Sequence, residues 1–175
     1  MQEYSSPAHA DKKEDEIMST TVTCNNTLVL TIPDGFREMS AEERKKLNML
    51  EDGPGKVFTD PDRHIIVSVG WRPLGFVTSL LLGAKDAVSN MKTSIRRAME
   101  PYDFHEGPSC RRALGSETAE GFSYDYVAQD IDMYSEAYVT KHNKVFYYLY
   151  VYARAELKEE SLRVWDEILA SAGWV

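Results

Sequence analysis

The clearest pattern of apolar positions runs from Lys144 to Ala153, Lys-Val-Phe-Tyr-Tyr-Leu-Tyr-Val-Tyr-Ala, ten residues with neither Gly nor Pro. Its density of β-branched and aromatic side chains predicts a strand. Successive side chains of a strand point to opposite faces, so Val145, Tyr147, Leu149, Val151 and Ala153 share one side. Phe146, Tyr148, Tyr150 and Tyr152 share the other. Neither side is polar, which predicts a strand covered on both faces, inside a sheet. Packing is the ordinary role of such an aromatic run.

The same reading extends along the chain. Thr20 to Thr23 and Thr27 to Ile32 predict a hairpin turned by Asn25 and Asn26, residues that tolerate the left-handed conformation. Asn25-Asn26-Thr27 also matches a glycosylation sequon, beside its plainer meaning as a turn. Pro33-Asp34-Gly35 ends the second strand. Ser40-Ala41-Glu42-Glu43 has the capping-box spacing, so a short helix follows to about Met49, stopped by Asp52-Gly53-Pro54-Gly55. Lys56 to Thr59 and His64 to Trp71 predict two paired strands joined by Asp60-Pro61-Asp62-Arg63.

Beyond the breakers Pro73 and Gly75, Thr78 or Ser79 is positioned to cap a long helix reaching about Met99. Leu81, Ala84, Val88, Met91, Ile95 and Ala98 recur at spacings of three and four, an apolar stripe to lay on a sheet. Cys110 to Leu114 predicts a short strand. Phe122, Tyr124, Tyr126 and Ala128 alternate with polar residues in the next. Tyr134 to Lys141 turns through His142-Asn143 into the aromatic strand, a register that sets Tyr138 opposite Tyr147 and Val139 opposite Phe146. A closing helix spans about Lys158 to Ala172 and ends at Gly173. The order ββ-α-ββ-α-ββββ-α, with connections too short for parallel crossovers, predicts an α+β fold in which a largely antiparallel sheet is packed between helices.

Composition narrows the class. The 175 residues are 43% hydrophobic and 27% charged, with a formal net charge of −8. That is ordinary for a folded domain and lacks the general basic balance of a nucleic-acid or anionic-membrane binder, although a local basic patch is compatible with it. Residues 1–19 read as a flexible charged tail and 20–175 as a single α+β domain. No apolar run reaches the ~18 residues of a membrane span. The tail has no secretory h-region. A cytoplasmic location follows if Met1 is native, and an extracytoplasmic or lipid-anchored one if a leader preceded it. Cys24 and Cys110 are too few for a disulfide framework, leaving two separate thiols or one long-range bridge.

The Leu28-Val29-Leu30-Thr31-Ile32-Pro33-Asp34-Gly35-Phe36 opening, the long central helix, Gly121-Phe122-Ser123-Tyr124-Asp125-Tyr126, the Lys144-Val145-Phe146-Tyr147-Tyr148 strand and a closing helix together resemble the PsbP-like superfamily. That fold is shared by the photosystem II oxygen-evolving P protein, a Ran-binding nuclear import factor and small bacterial proteins of unknown function. The resemblance covers about residues 20 to 175 and implies a three-layer α/β/α sandwich. It implies a binding or assembly module rather than one activity. No residues match a Ran-binding or manganese-handling site, so neither function is carried over.

Nucleophile elbow, HExxH, CxxC and glycine-rich phosphate-loop motifs do not occur in the sequence. Asp60, Asp62 and His64 offer oxygen and imidazole ligands within one turn, a pattern that suits a divalent metal and equally suits Asp residues bonding their own backbone. Cys110 beside Arg111 and Arg112 has cations that could favour its thiolate, though strand alternation sets Arg111 on the other face. His9, His105 and His142 fall in the tail or near turns. Trp71-Arg72-Pro73-Leu74-Gly75-Phe76 joins strand to helix and carries residue types typical of interface hot spots, with Trp71, Arg72 and Phe76 as candidate partner-binding residues. The alternative there is that Trp71 and Phe76 cap the core.

The expected function is a non-enzymatic binding or assembly domain with a protein partner, needing neither cofactor nor nucleic acid. The alternative is a small-molecule binder or enzyme with a tyrosine-lined pocket between sheet and helices.

Overall fold

A computed structural model describes residues 19–47, 49 and 53–175; all but the last residue of the expected tail, and with it His9, lies outside them. The aromatic strand proves to be the middle of a seven-stranded sheet. In chain order the elements are β1 (Thr20–Cys24), β2 (Leu28–Ile32), β3 (Arg37–Glu38), α1 (Ala41–Lys46), β4 (Gly55–Asp60), β5 (Ile65–Pro73), α2 (Phe76–Leu81) and α3 (Ala84–Met99). There follow β6 (His105–Leu114), β7 (Glu117–Ala128), β8 (Ile131–His142), β9 (Val145–Arg154), α4 (Lys158–Ala170) and β10 (Gly173–Trp174). The large sheet has the order β3-β4-β5-β9-β8-β7-β6 and is antiparallel throughout. A small sheet, β1-β2-β10, lies apart from it.

Alternation along β9 divides the core in two. Tyr147, Leu149 and Val151 join the small sheet's Leu28, Leu30 and Ile32 and the α4 residues Trp165, Ile168 and Leu169. On the opposite face Phe146, with Tyr148 and Tyr150 at its margin, packs with Phe122, Tyr124 and Val139 under α3. The domain is therefore α+β, with one helix on one face of the sheet and a helix plus a small sheet on the other.

Local chemistry accounts for most of the turns. Asn25 and Asn26 both take φ of 53°, the left-handed region that Asn tolerates better than most residues. Ser40 Oγ accepts from the Glu43 amide at 3.2 Å while the Glu43 carboxylate accepts from the Ser40 amide at 2.9 Å, completing the capping box. The expected extension of α1 to Met49 falls short, since the helix ends at Lys46. β6 starts five residues earlier than expected because a register shift between Glu106 and Ser109 absorbs Pro108 on an edge strand, where a missing N–H is tolerated.

Three further expectations are corrected. The central helix is two helices. Leu82 is extended (φ −105°, ψ 128°), and the Asp86 carboxylate accepts the Gly83 amide at 2.9 Å, so a new helix starts at Gly83 rather than at Thr78 or Ser79. As a result Leu81 leaves the predicted stripe, while Val88 and Met91 of that stripe are buried and Ala87 joins them. The β8–β9 hairpin turns at Asn143-Lys144, not His142-Asn143, so Tyr138 faces Leu149 and Val139 faces Tyr148. His142 stays in the ladder, its ring stacked on Trp174 at 4.2 Å with Nδ1 2.9 Å from Glu117 Oε1. Finally, Gly173 does not simply end the chain's last helix but begins β10: Trp174 Nε1 donates to the Leu114 carbonyl at 2.9 Å and its ring sits against Gly115, whose φ is +59°.

Candidate functional site

Two clusters stand out, and their environments differ. The first is buried. Tyr134, Glu136 and Tyr138 alternate along β8 toward the α4 face. The Tyr134 hydroxyl donates to Glu136 Oε1 at 2.9 Å and the Tyr138 hydroxyl to Oε2 at 2.7 Å. Arg112 Nε donates to the Tyr138 oxygen at 3.2 Å, and its guanidinium lies 3.8 Å from Glu136 and 3.3 Å from Asp166 of α4. Gly121, opposite Tyr138 on β7, leaves room for the ring, because a Cβ there would overlap Tyr138 and the Ala137 carbonyl. Burial pushes the Tyr138 and Tyr134 phenols well above their ordinary values and raises the Cys110 thiol. These groups are thus protonated near neutral pH, hydrogen-bonding rather than nucleophilic. The network ties α4 to the sheet.

The second cluster is exposed. After Pro73 the chain passes the end of the sheet, where the Leu74 amide donates to the Lys144 carbonyl at 2.7 Å. α2 follows, with Phe76 66%, Val77 66%, Leu80 72% and Leu81 74% exposed. Lys141 reaches up from β8 and donates to the carbonyls of Ser79 and Leu82, the latter at 3.0 Å, binding the end of α2 where orphan carbonyls concentrate negative partial charge. Lys144 lies 5.1 Å above the Phe76 ring. Arg72 and Lys85 are exposed on either side in sequence. A small apolar helix is therefore held at one end of the sheet among cations.

The other sequence candidates separate. Trp71 is half-buried against the main core, whereas Phe76 is exposed, so only the first of the pair helps to cap the core. The Asp60 carboxylate is buried; its Oδ1 accepts the Asp62 and Arg63 amides, each at 3.1 Å, and Oδ2 lies 3.3 Å from Arg63. His64 takes φ of 53° in the same turn. Among the described residues no three His, Cys, Asp or Glu side chains are grouped to hold a metal. Cys24 is buried and Cys110 half-buried, both as free thiols. His105 lies 3.2 Å from Asp103 at the surface. Tyr124, Tyr126, Tyr150 and Tyr152 pack ring against ring on the α3 side, with Tyr124–Tyr126 centroids 5.9 Å and Tyr150–Tyr152 6.0 Å apart. An open groove of about 630 Å³ lies elsewhere, between α3 and the start of β6, lined by Arg96, Arg97, Phe104 and His105. Sequence reading placed Leu81 on the buried stripe and did not single out Val77 or Leu80, so it missed their shared exposure with Phe76; the signal available was Gly83 followed by Asp86.

No family profile and no curated protein matches this chain. Solved structures do. Cyanobacterial PsbP (CyanoP) from Synechocystis sp. PCC 6803 superposes with a TM-score of 0.66 at 14% identity, over 97% of this chain and 98% of that one. LpqN, involved in cell envelope biogenesis of Mycobacterium tuberculosis, gives 0.54 at 13% identity over 92% of both chains. A Bacteroides thetaiotaomicron protein gives 0.55 at 11% identity, over 85% of this chain and 45% of that one. The fold is PsbP-like. Among the described residues no helix is long and apolar enough to cross a membrane.

Proposed function

We propose that this domain is a non-catalytic docking module that seats itself on a larger body through α2. One observation carries the reading: four large apolar side chains of a six-residue helix face solvent together, each at least 66% exposed, while Lys141 fixes the helix to the sheet. Contiguous apolar surface of this kind costs solubility, and its usual use is contact. The buried Glu136 network supports the same view, because its tyrosines and thiol are held protonated and committed to hydrogen bonds. The PsbP-like fold adds a setting, since LpqN with the same architecture is involved in cell envelope biogenesis.

The test is fractionation of an extract of the source cells. Wild-type protein is expected to run with a large assembly or a membrane fraction, and the L80S/L81S variant at its own size with an unchanged melting temperature. Equal behaviour of the two proteins overturns the reading.

A further inference from the structure

The cations around α2 say what it docks on. Resting on the reading of α2 as the contact surface, we propose that the body it meets is the anionic headgroup region of a phospholipid bilayer, with Phe76, Val77, Leu80 and Leu81 entering the interface.

Charge placement favours lipid. The chain carries −8 in total, yet the end of the sheet that holds α2 gathers exposed Arg72, Lys85 and Lys144, with Lys141 engaged beneath them by the α2 carbonyls. Asp86, next to Lys85 in sequence, caps α3 through the Gly83 amide, and Glu117 of β7 lies against His142. Antiparallel pairing sets the β4–β5 and β7–β8 turns at the opposite end, where exposed Asp62, Asp130 and Asp132 stand beside Arg63, Arg154 and Lys158. An anionic plane attracts the α2 end, where exposed cations lie beside the apolar helix, more than the mixed-charge far end, so the fold is oriented before contact.

The apolar part has the form of an interfacial helix rather than a spanning one. Six residues rise only about 9 Å, enough to lie in the headgroup boundary. Lys144 carries its charge on a long aliphatic stem over the Phe76 ring, the arrangement by which lysine keeps its ammonium at headgroup level while its stem stays among hydrocarbon. A proteinaceous groove must match all of these cations individually, whereas a sheet of anionic headgroups satisfies them without register.

Flotation of the full chain with phosphatidylcholine vesicles, and with the same vesicles containing phosphatidylglycerol, tests the assignment. Binding is expected only with the anionic vesicles and should weaken as salt rises. Each of R72Q, K85Q and K144Q should weaken it about fivefold, and L80S/L81S should abolish it. Two outcomes overturn the lipid assignment: flotation that survives L80S/L81S, or no flotation with either vesicle. If flotation fails while extract fractionation still depends on Leu80 and Leu81, the contact is a protein surface and the docking reading stands. If both fail, both readings fall together.

Discussion

Helices α2 and α4 look alike as sequence and end in opposite environments. Phe76-Val77-Thr78-Ser79-Leu80-Leu81 has as dense an apolar content as the Leu162 to Leu169 stretch of α4. Yet α4 buries Trp165, Ile168 and Leu169 over the sheet, and α2 buries no residue. The difference lies in where the chain lets each helix rest. Residues after β9 turn back across the sheet face, with Arg112 bridging Glu136 and Asp166. Residues after β5 leave past the sheet's end, where no face remains to cover. Apolar content alone thus does not distinguish a helix that is buried from one that stays in water.

The widest separation between the two helices should come from truncation. Trp165→Ala, which empties a fully buried site, is expected to cost about 3–5 kcal/mol in urea unfolding. Replacing Gly121 by Ala should cost about 1–3 kcal/mol, since the new Cβ drives Tyr138 out of the α4 network. Tyr138→Phe removes one of two hydroxyl donors from buried Glu136 and should cost about 1–3 kcal/mol by the same assay. At the other extreme, L80S/L81S should leave stability within about 0.5 kcal/mol of wild type. A loss in L80S/L81S as large as that of Trp165→Ala would erase the contrast and make α2 a core element.

Alkaline titration sharpens the comparison differently, because only the buried half of the molecule should respond. Burial holds the Cys24 thiol at about 11, above its ordinary 9.0, and raises the phenols of Tyr124, Tyr138 and Tyr150 further. Between those values the unfolded chain has released protons that the folded chain retains. Stability is therefore full below about pH 9 and falls as pH climbs through the folded values. Thermal melts across pH 8 to 11 should show this decline on the scale set by Cys24. Cys24→Ala should flatten its first part, and L80S/L81S should leave the curve unchanged.

Much of the architecture was legible because it rests on local rules. Alternation along β9 is a property of the strand backbone, so both of its faces could be assigned from residues 144–153 alone, and both are covered. The Ser40 capping box and the Asn25-Asn26 turn depend on side chains within four positions of each other. The hairpin register was misread by one turn position, as the choice between His142 and Lys144 depends on Trp174, thirty-two residues away in the chain. The Glu136 network was invisible for a similar reason, since Arg112, Glu136 and Asp166 come from three elements.

Trp71, Arg72 and Phe76 were candidates on residue type, and the fold separates them. Trp71 faces the core, Arg72 is exposed, and Phe76 begins the exposed helix. The break at Gly83 was written in the sequence as Gly followed three residues later by Asp, but a continuous apolar spacing concealed it. What the sequence by itself determined is the eight longer strands, the two-faced pattern of β9 and the α+β class, because periodicity and turn chemistry act over a few residues, while the two-residue β3 and β10 escaped it. Which apolar residues stay in water, which charges gather at one end of the sheet and which carboxylate is buried were decided by tertiary structure alone. Those properties depend on which segments the antiparallel order brings together, and on where the sheet ends.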